Sequence, residues 1–297
     1  MSAVSAVTAG RPTLSHGDRS WVTRIQPTAI YALVTVIGIA AFLYPFWLPA
    51  NALPDRAHAG DAPLVAGVIG ALALTALLVE VRRGSMTAMT VAVLGVLAAS
   101  EGLLRLVALP LGNNAFYFFV VLAGVAFGPR FGMLLGLCSM AVSAVITGGI
   151  GPWLPFQMLT LSWMGALAGV LGLATRRWSP RAELLALASY GWIWGFLYGA
   201  IMNLWFWPFQ RNGGSLDWIP GSSVGATLRH YWSFYVATSY PWDAASALAN
   251  AVLIFVTGAA VLATLRRFAH RLDPVVDLVD ASPPSSMSAG ANPYEVH

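Results

Sequence analysis

Between residues 116 and 172 the chain carries one charge, Arg130. The stretch reads as a short apolar run (116–127), the turn Gly128-Pro129-Arg130-Phe131-Gly132, and a second run (133–146). An uncharged loop of glycines, prolines and aromatics (147–156) and a third run (157–172) follow. Apolar runs without alternation are helical rather than strand-like. In hydrocarbon, where no water meets backbone N–H and C=O groups, only helices and closed barrels satisfy them. The whole chain agrees, with 58% hydrophobic and 9% charged residues, where a soluble domain carries about 25% charge. The expected fold is an all-α polytopic membrane protein.

A helix needs about 20 apolar residues to cross the bilayer core. Residues 29–48, 64–81, 88–109, 157–174, 184–206 and 244–265 meet this length or come close to it. Runs 116–127 and 133–146 are short by that rule. Either they are tilted and shielded by protein, or the turn between them dips into the bilayer. Eight spans result. Every basic residue is Arg, and twelve of the 16 fall on one side, among them Arg82, Arg83, Arg130, Arg176, Arg177, Arg266 and Arg267. Arg56, Arg105, Arg211 and Arg229 fall on the other. Cytoplasmic loops collect basic residues, so both termini are expected in the cytoplasm and the protein in the cell membrane. Residues 1–27 are polar and lack the apolar core of a secretory signal, so no cleaved peptide is expected. Residues 273–297, rich in Ser, Pro and Ala, are expected to be disordered. The net charge of +4 does not imply nucleic acid, because the arginines sit at helix ends and form no single patch.

The segment 207–242 is longer than a connection needs and too aromatic for a disordered one. It therefore reads as folded over the outer mouth, with Arg211, Asn212, Asp217, Arg229 and His230 able to orient a ligand. Gln157, Asn203 and Asp243 all fall at outer ends of spans, beside Trp153 and Trp207. A few polar groups converging in an aromatic wall are what a ligand pocket needs. Each also has a plainer reading: interfacial belt for the tryptophans, interhelical glue for Gln157, Asn203 and Asn250, and helix cap for Asp243. Glu101 and Arg105 share one helical face. They read as a structural pair or as the coupling pair of an ion-driven secondary transporter. Ala88, Ala92, Gly95 and Ala99 also share a face, suited to close helix packing within the fold or against another membrane protein.

No catalytic constellation is found. There is no phosphate-binding loop, no His-Glu-x-x-His and no Asp-rich pair. His16, His58, His230, His270 and His297 lie outside the spans, and Cys138 stands alone in an apolar run. Neither metal nor cofactor is expected, and ATP-driven transport would need another chain to hydrolyse the nucleotide. A membrane enzyme acting on lipid is compatible with the aromatic mouth, but no acid/base cluster supports it.

Residues 88–265 resemble the substrate-binding S component of energy-coupling factor (ECF) transporters. The resemblance rests on the short span, the Gly128-Pro129-x-x-Gly132 turn, the second span and the Gly/aromatic loop in that order, and on Ala88-x-x-x-Ala92 in the first span of the core. It implies a six-span core (84–272, with the outer aromatic loop 207–242) preceded by a two-helix extension (28–83). It implies a vitamin bound at the outer face by Asn113, Asn114, Trp153, Gln157, Asn203, Trp207, Tyr240, Trp242 and Asp243. It further implies docking through Ala88, Ala92 and Gly95 on a transmembrane coupling protein served by two cytoplasmic ATPases, and delivery by toppling. The pattern is most similar to actinobacterial components of cobalamin type, so a corrinoid is the expected cargo.

Overall fold

The computed structural model describes residues 26–48, 53, 57–107, 116–210 and 214–272. These form helices α1 (Pro27–Leu43, extended by a 3-10 turn Tyr44–Trp47), α2 (Ala62–Arg82), α3 (Ala88–Leu104), α4 (Phe118–Phe127) and α5 (Pro129–Thr147). They continue as α6 (Leu154–Thr175), α7 (Pro180–Phe206), α8 (Val224–Thr238) and α9 (Tyr240–Leu272), with no strand among the described residues. Six helices (α1 with its turn, α2, α5, α6, α7 and α9) are long and apolar enough to span a membrane, while α3 and α4 are apolar but shorter. The protein is an all-α polytopic membrane protein. The expectations for residues 1–25 and 273–297, and for Arg56, Asn113, Asn114, Arg211 and Asn212, lie outside the described residues.

The span boundaries need correction. The run 88–109, expected to cross the bilayer, is helical among the described residues only over Ala88–Leu104 and is one of the shorter helices. The run 133–146 is not a short span: α5 has 19 residues and begins at Pro129. A proline in the first turn gives up an N–H that the helix leaves unpaired there anyway. The corner shrinks to Gly128, whose φ of 95° belongs to the region that glycine tolerates. Helix α4 does remain short, at 10 residues. It is walled in by protein: Val120, Val121, Leu122 and Ala123 are fully buried. The segment 207–242 also contains a true helix, α8, which packs Trp207, Phe209, Trp218 and Phe234 into a small separate core.

Lipid tails are as apolar as leucine, so helices in a bilayer associate by close packing rather than by escape from water. Glycine supplies the closeness. A Cβ at Gly165 on α6 would overlap the Gly132 carbonyl on α5, and one at Gly132 would overlap the Gly165 carbonyl. Gly136 and Gly169 extend this α5–α6 seam, and Gly172 meets the backbone of Val125 on α4. A second seam joins α7 to α9, with Gly195 against Ala247 and Gly199 against the Asp243 carboxylate. By contrast, Gly95 on α3 faces open space.

The second correction concerns Glu101 and Arg105, which do not pair. Glu101 is fully buried, and its Oε2 accepts the Phe119 backbone N–H at 2.8 Å. It thus caps the first turn of α4 from a neighbouring helix, where a carboxylate meets unpaired N–H groups and the positive end of the helix dipole. Arg105 turns to Ser143 Oγ (3.3 Å) and lies 5.3 Å from the centre of the Phe116 ring. A Glu–Arg coupling pair, and with it the basis for an ion-driven secondary transporter, is not formed.

Gly165→Leu is expected to lower unfolding stability in detergent by about 3 kcal/mol or more, because overpacking meets backbone that cannot yield. Gly95→Leu is expected to shift it by less than about 0.5 kcal/mol. Chemical unfolding of the two variants checks the pair. Glu101→Ala should cost roughly 2 kcal/mol by the same assay, the worth of a charged cap in a partly or fully buried setting.

Candidate ligand site at the aromatic end

The antiparallel succession of helices gives the molecule two unlike ends. One gathers Thr28, Glu80, Arg130, Glu183 and Arg266. There Arg130 donates to Thr28 Oγ1 (2.9 Å) and to Glu80 (3.4 Å), and Arg266 holds Glu183 through two contacts of 2.8 and 2.5 Å. The other end gathers the start of α6, the end of α7, the start of α9 and the connection between α1 and α2.

Two patches form at this aromatic end, both resting on α7. In the first, Trp153 and Trp205 stand edge to face at 6.3 Å, with Phe156 beneath. Gln157, in the first turn of α6, has its Oε1 buried without a hydrogen-bond partner, and the Trp205 indole N–H is in the same state. In the second, Asn203 Nδ2 donates to Ser239 Oγ at 2.7 Å, tying α7 to the start of α9. Asp243 follows one turn into α9, against Gly199, with Oδ2 buried and unpartnered. Tyr240 stacks near Phe196 at 5.7 Å, and Tyr198 faces Tyr117 at 5.0 Å. Buried polar atoms in native proteins are normally paired, and several at this end are not.

Not every residue expected in the site faces it. Trp207 is 1% exposed, gives its N–H to the Leu216 carbonyl at 2.9 Å and packs on Phe46, Tyr231 and Phe234. It anchors the outer segment from behind. Trp242 is exposed on the flank of α9. Asp217 is spent locally, accepting the Gly214 N–H at 3.0 Å. Asn250 donates to the Ser246 carbonyl of its own helix at 2.9 Å rather than bridging helices.

The sequence reading missed His58. It sits in the turn ahead of α2 and is fully buried, at a φ of 53° that few non-glycine residues adopt. Its ring packs among Phe156 (4.4 Å), Phe209 (4.8 Å), Tyr44 (5.6 Å) and Trp205 (6.1 Å, stacked). Nδ1 donates to Asp61 Oδ2 at 2.7 Å, and the Tyr44 hydroxyl donates to the same oxygen at 2.8 Å. The carboxylate only accepts, which favours a proton on Nδ1, and the ring also meets the Trp205 backbone. Nε2 makes no hydrogen bond of good geometry among the described residues. The available hint was His58-x-x-Asp61 just ahead of a span. It carries meaning only once the chain places it on Phe156 and Trp205.

On the flank of the molecule, Ala88, Ala92 and Gly95 of α3 are all exposed, in line along one face. Among the described residues no group of three or more metal-ligating side chains is found.

A family model for the ECF transporter substrate-specific component matches residues 87–258, from the Thr87 cap of α3 into α9. Helices α1 and α2 lie outside the matched stretch. No curated protein and no solved structure matches the chain.

Burial pushes the His58 pKa below its ordinary value, with the Asp61 contact opposing. The unfolded chain takes up this proton near pH 6.5, the native protein only at lower pH. Stability is therefore full above that pH and declines as pH falls through it. Thermal unfolding of the wild type between pH 7.5 and 5.5 should show this decline, and His58→Phe should flatten it.

Proposed function

The chain belongs to the ECF transporter substrate-specific components, which bind substrate for a transporter and are not enzymes, and from that premise we infer that its aromatic end is the substrate site. The observation that carries this reading is the set of buried polar atoms left without a hydrogen bond there: Gln157 Oε1, Trp205 Nε1 and Asp243 Oδ2. Two acceptors and one donor among aromatic rings suit a flat cargo with polar edges, because rings stack on Trp and Phe while the polar atoms fix orientation. A vitamin fits this description, and a corrinoid is the cargo we propose. Asn203 and Tyr240 would complete the wall on the α9 side, with Asn113 and Asn114, which follow α3 in the chain, as further candidates. Helices α1 and α2 are read as an extension whose turn brings His58 to the same place.

Transport would follow the family's scheme. The loaded subunit docks on a transmembrane coupling protein through the exposed small face of α3, then topples to present the cargo inward, while two cytoplasmic ATPases supply energy. Both termini would lie in the cytoplasm of a cell-membrane protein. Small residues allow the close helix approach that docking in lipid needs.

The test is purification without added vitamins, followed by absorbance and mass spectrometry of what co-elutes. A corrinoid spectrum is expected, and Gln157→Leu and Asp243→Leu should each weaken its binding about tenfold, the worth of one lost polar contact. Undiminished binding in both variants would overturn the site. Ala92→Trp should abolish assembly with the coupling protein and leave cargo affinity unchanged. Assembly that survives it would overturn the docking face.

A further inference from the structure

We propose that the Arg-rich end holds the headgroup of an anionic phospholipid, with an acyl chain laid in an adjoining apolar slot. The site lies at the opposite end from the ligand site and does not depend on the substrate reading. A cavity of about 680 Å³ opens there among the ends of α2, α3, α4, α5, α6 and α9. Arg130, Arg176, Arg266 and His270 line it, over a floor that includes Val125 and Phe131. The charges do not cancel. Glu80 takes Arg130 and Glu183 takes Arg266, while Arg176 meets no acid within ion-pair distance among the described residues. One guanidinium thus faces the chamber uncompensated, with two more at its edge.

The second observation is the annex. A slot of about 380 Å³ runs beside the chamber, lined by Tyr31, Phe127, Met133 and Ala166. Phe127, Gly128 and Arg130 line both spaces. A charged chamber that shares a wall with a greasy slot is the shape of a phosphodiester joined to a hydrocarbon chain. Free phosphate would use the first and leave the second without purpose. The arginine bias puts this end in the cytoplasmic leaflet, which carries anionic lipid, and basic pockets between membrane helices at that depth bind such headgroups. The corner Gly128-Pro129-Arg130 thereby gains a role. It turns α4 into α5 without a loop and leaves the Arg130 guanidinium at the junction of chamber and slot.

The experiment uses the full chain, delipidated in neutral detergent, with native mass spectrometry and thermal unfolding as readouts. The probes are long-chain phosphatidylglycerol, long-chain phosphatidylcholine, dihexanoyl phosphatidylglycerol and inorganic phosphate. Long-chain phosphatidylglycerol should be retained one to one and raise the melting temperature by several degrees. The short-chain form should bind at least fivefold more weakly, and phosphatidylcholine and phosphate should do neither. Arg176→Gln, at an exposed position that folding tolerates, should cut retention at least fivefold. Equal retention of phosphatidylcholine, or an equal effect of phosphate, overturns the assignment. So does unchanged lipid retention in Arg176→Gln. If that variant instead loses a partner chain while keeping the lipid, the chamber is a protein contact and the lipid reading falls.

Discussion

The structure depends on backbone meeting backbone. In water, burying apolar side chains would hold these helices together, but a bilayer offers the same apolar surroundings outside the bundle as inside. What remains is packing density, which peaks where Cβ atoms are missing. The contact of Gly132 with Gly165, and the closeness of Gly136 and Gly169 to the opposite helix, put α5 and α6 at the centre, while Gly172 packs on Val125 of α4. Helix α4 can be ten residues long because it is set against this pair and α9 rather than left to lipid. The α7–α9 seam repeats the device and fixes where Asp243 and Asn203 stand relative to each other.

Charge inside such a scaffold has to be spent on something. A charged side chain at mid-bilayer costs about 2.5–3.5 kcal/mol on insertion scales, and each acid among the described spans shows where the return lies. Glu80 and Glu183 hold arginines at one rim. Glu101 caps α4, where four N–H groups would otherwise face hydrocarbon. Glu101 and Asp243 each keep one buried oxygen without a hydrogen-bond partner among the described residues, and the Asp243 carboxylate also meets the Tyr235 hydroxyl.

Much of the fold was legible because span length and charge placement are read along the chain. The eight apolar runs all became helices, and the arginine count separated the two ends that the structure also separates. The misses share one cause. The start of α5 at Pro129, the turning away of Arg105 from Glu101, and the burial of His58 all depend on neighbours distant in sequence. Spacing puts Glu101 and Arg105 on one face, but it cannot show that Phe119 offers a better-placed donor. Counting histidines outside the spans cannot show that a turn folds one of them back onto Phe156. The candidate site was legible only in part for the same reason: Gln157 and Asp243 stand in it, whereas Trp207 was claimed by the Leu216 carbonyl and a small core of its own.

The two leading helices raise a geometric question, because an added pair of spans risks covering the face by which such a subunit meets its partner. The packing answers it. Gly38 of α1 lies against Leu159 and Trp163 of α6, and α2 contacts α5 and α6, so the pair leans on the central helices. Helix α3 stays at the periphery, with Ala88, Ala92 and Gly95 open. The pair can therefore reach the mouth through His58 and leave the small-residue face free. The same placement makes His58 part of a rigid frame rather than a loose loop. Its ring is held by Asp61 and by aromatics from α6 and α7, and Tyr44 ties the end of α1 to that carboxylate. Any cargo that stacks on Phe156 or Trp205 must either displace this imidazole or share the wall with it, so the turn between α1 and α2 bears on what the site accepts.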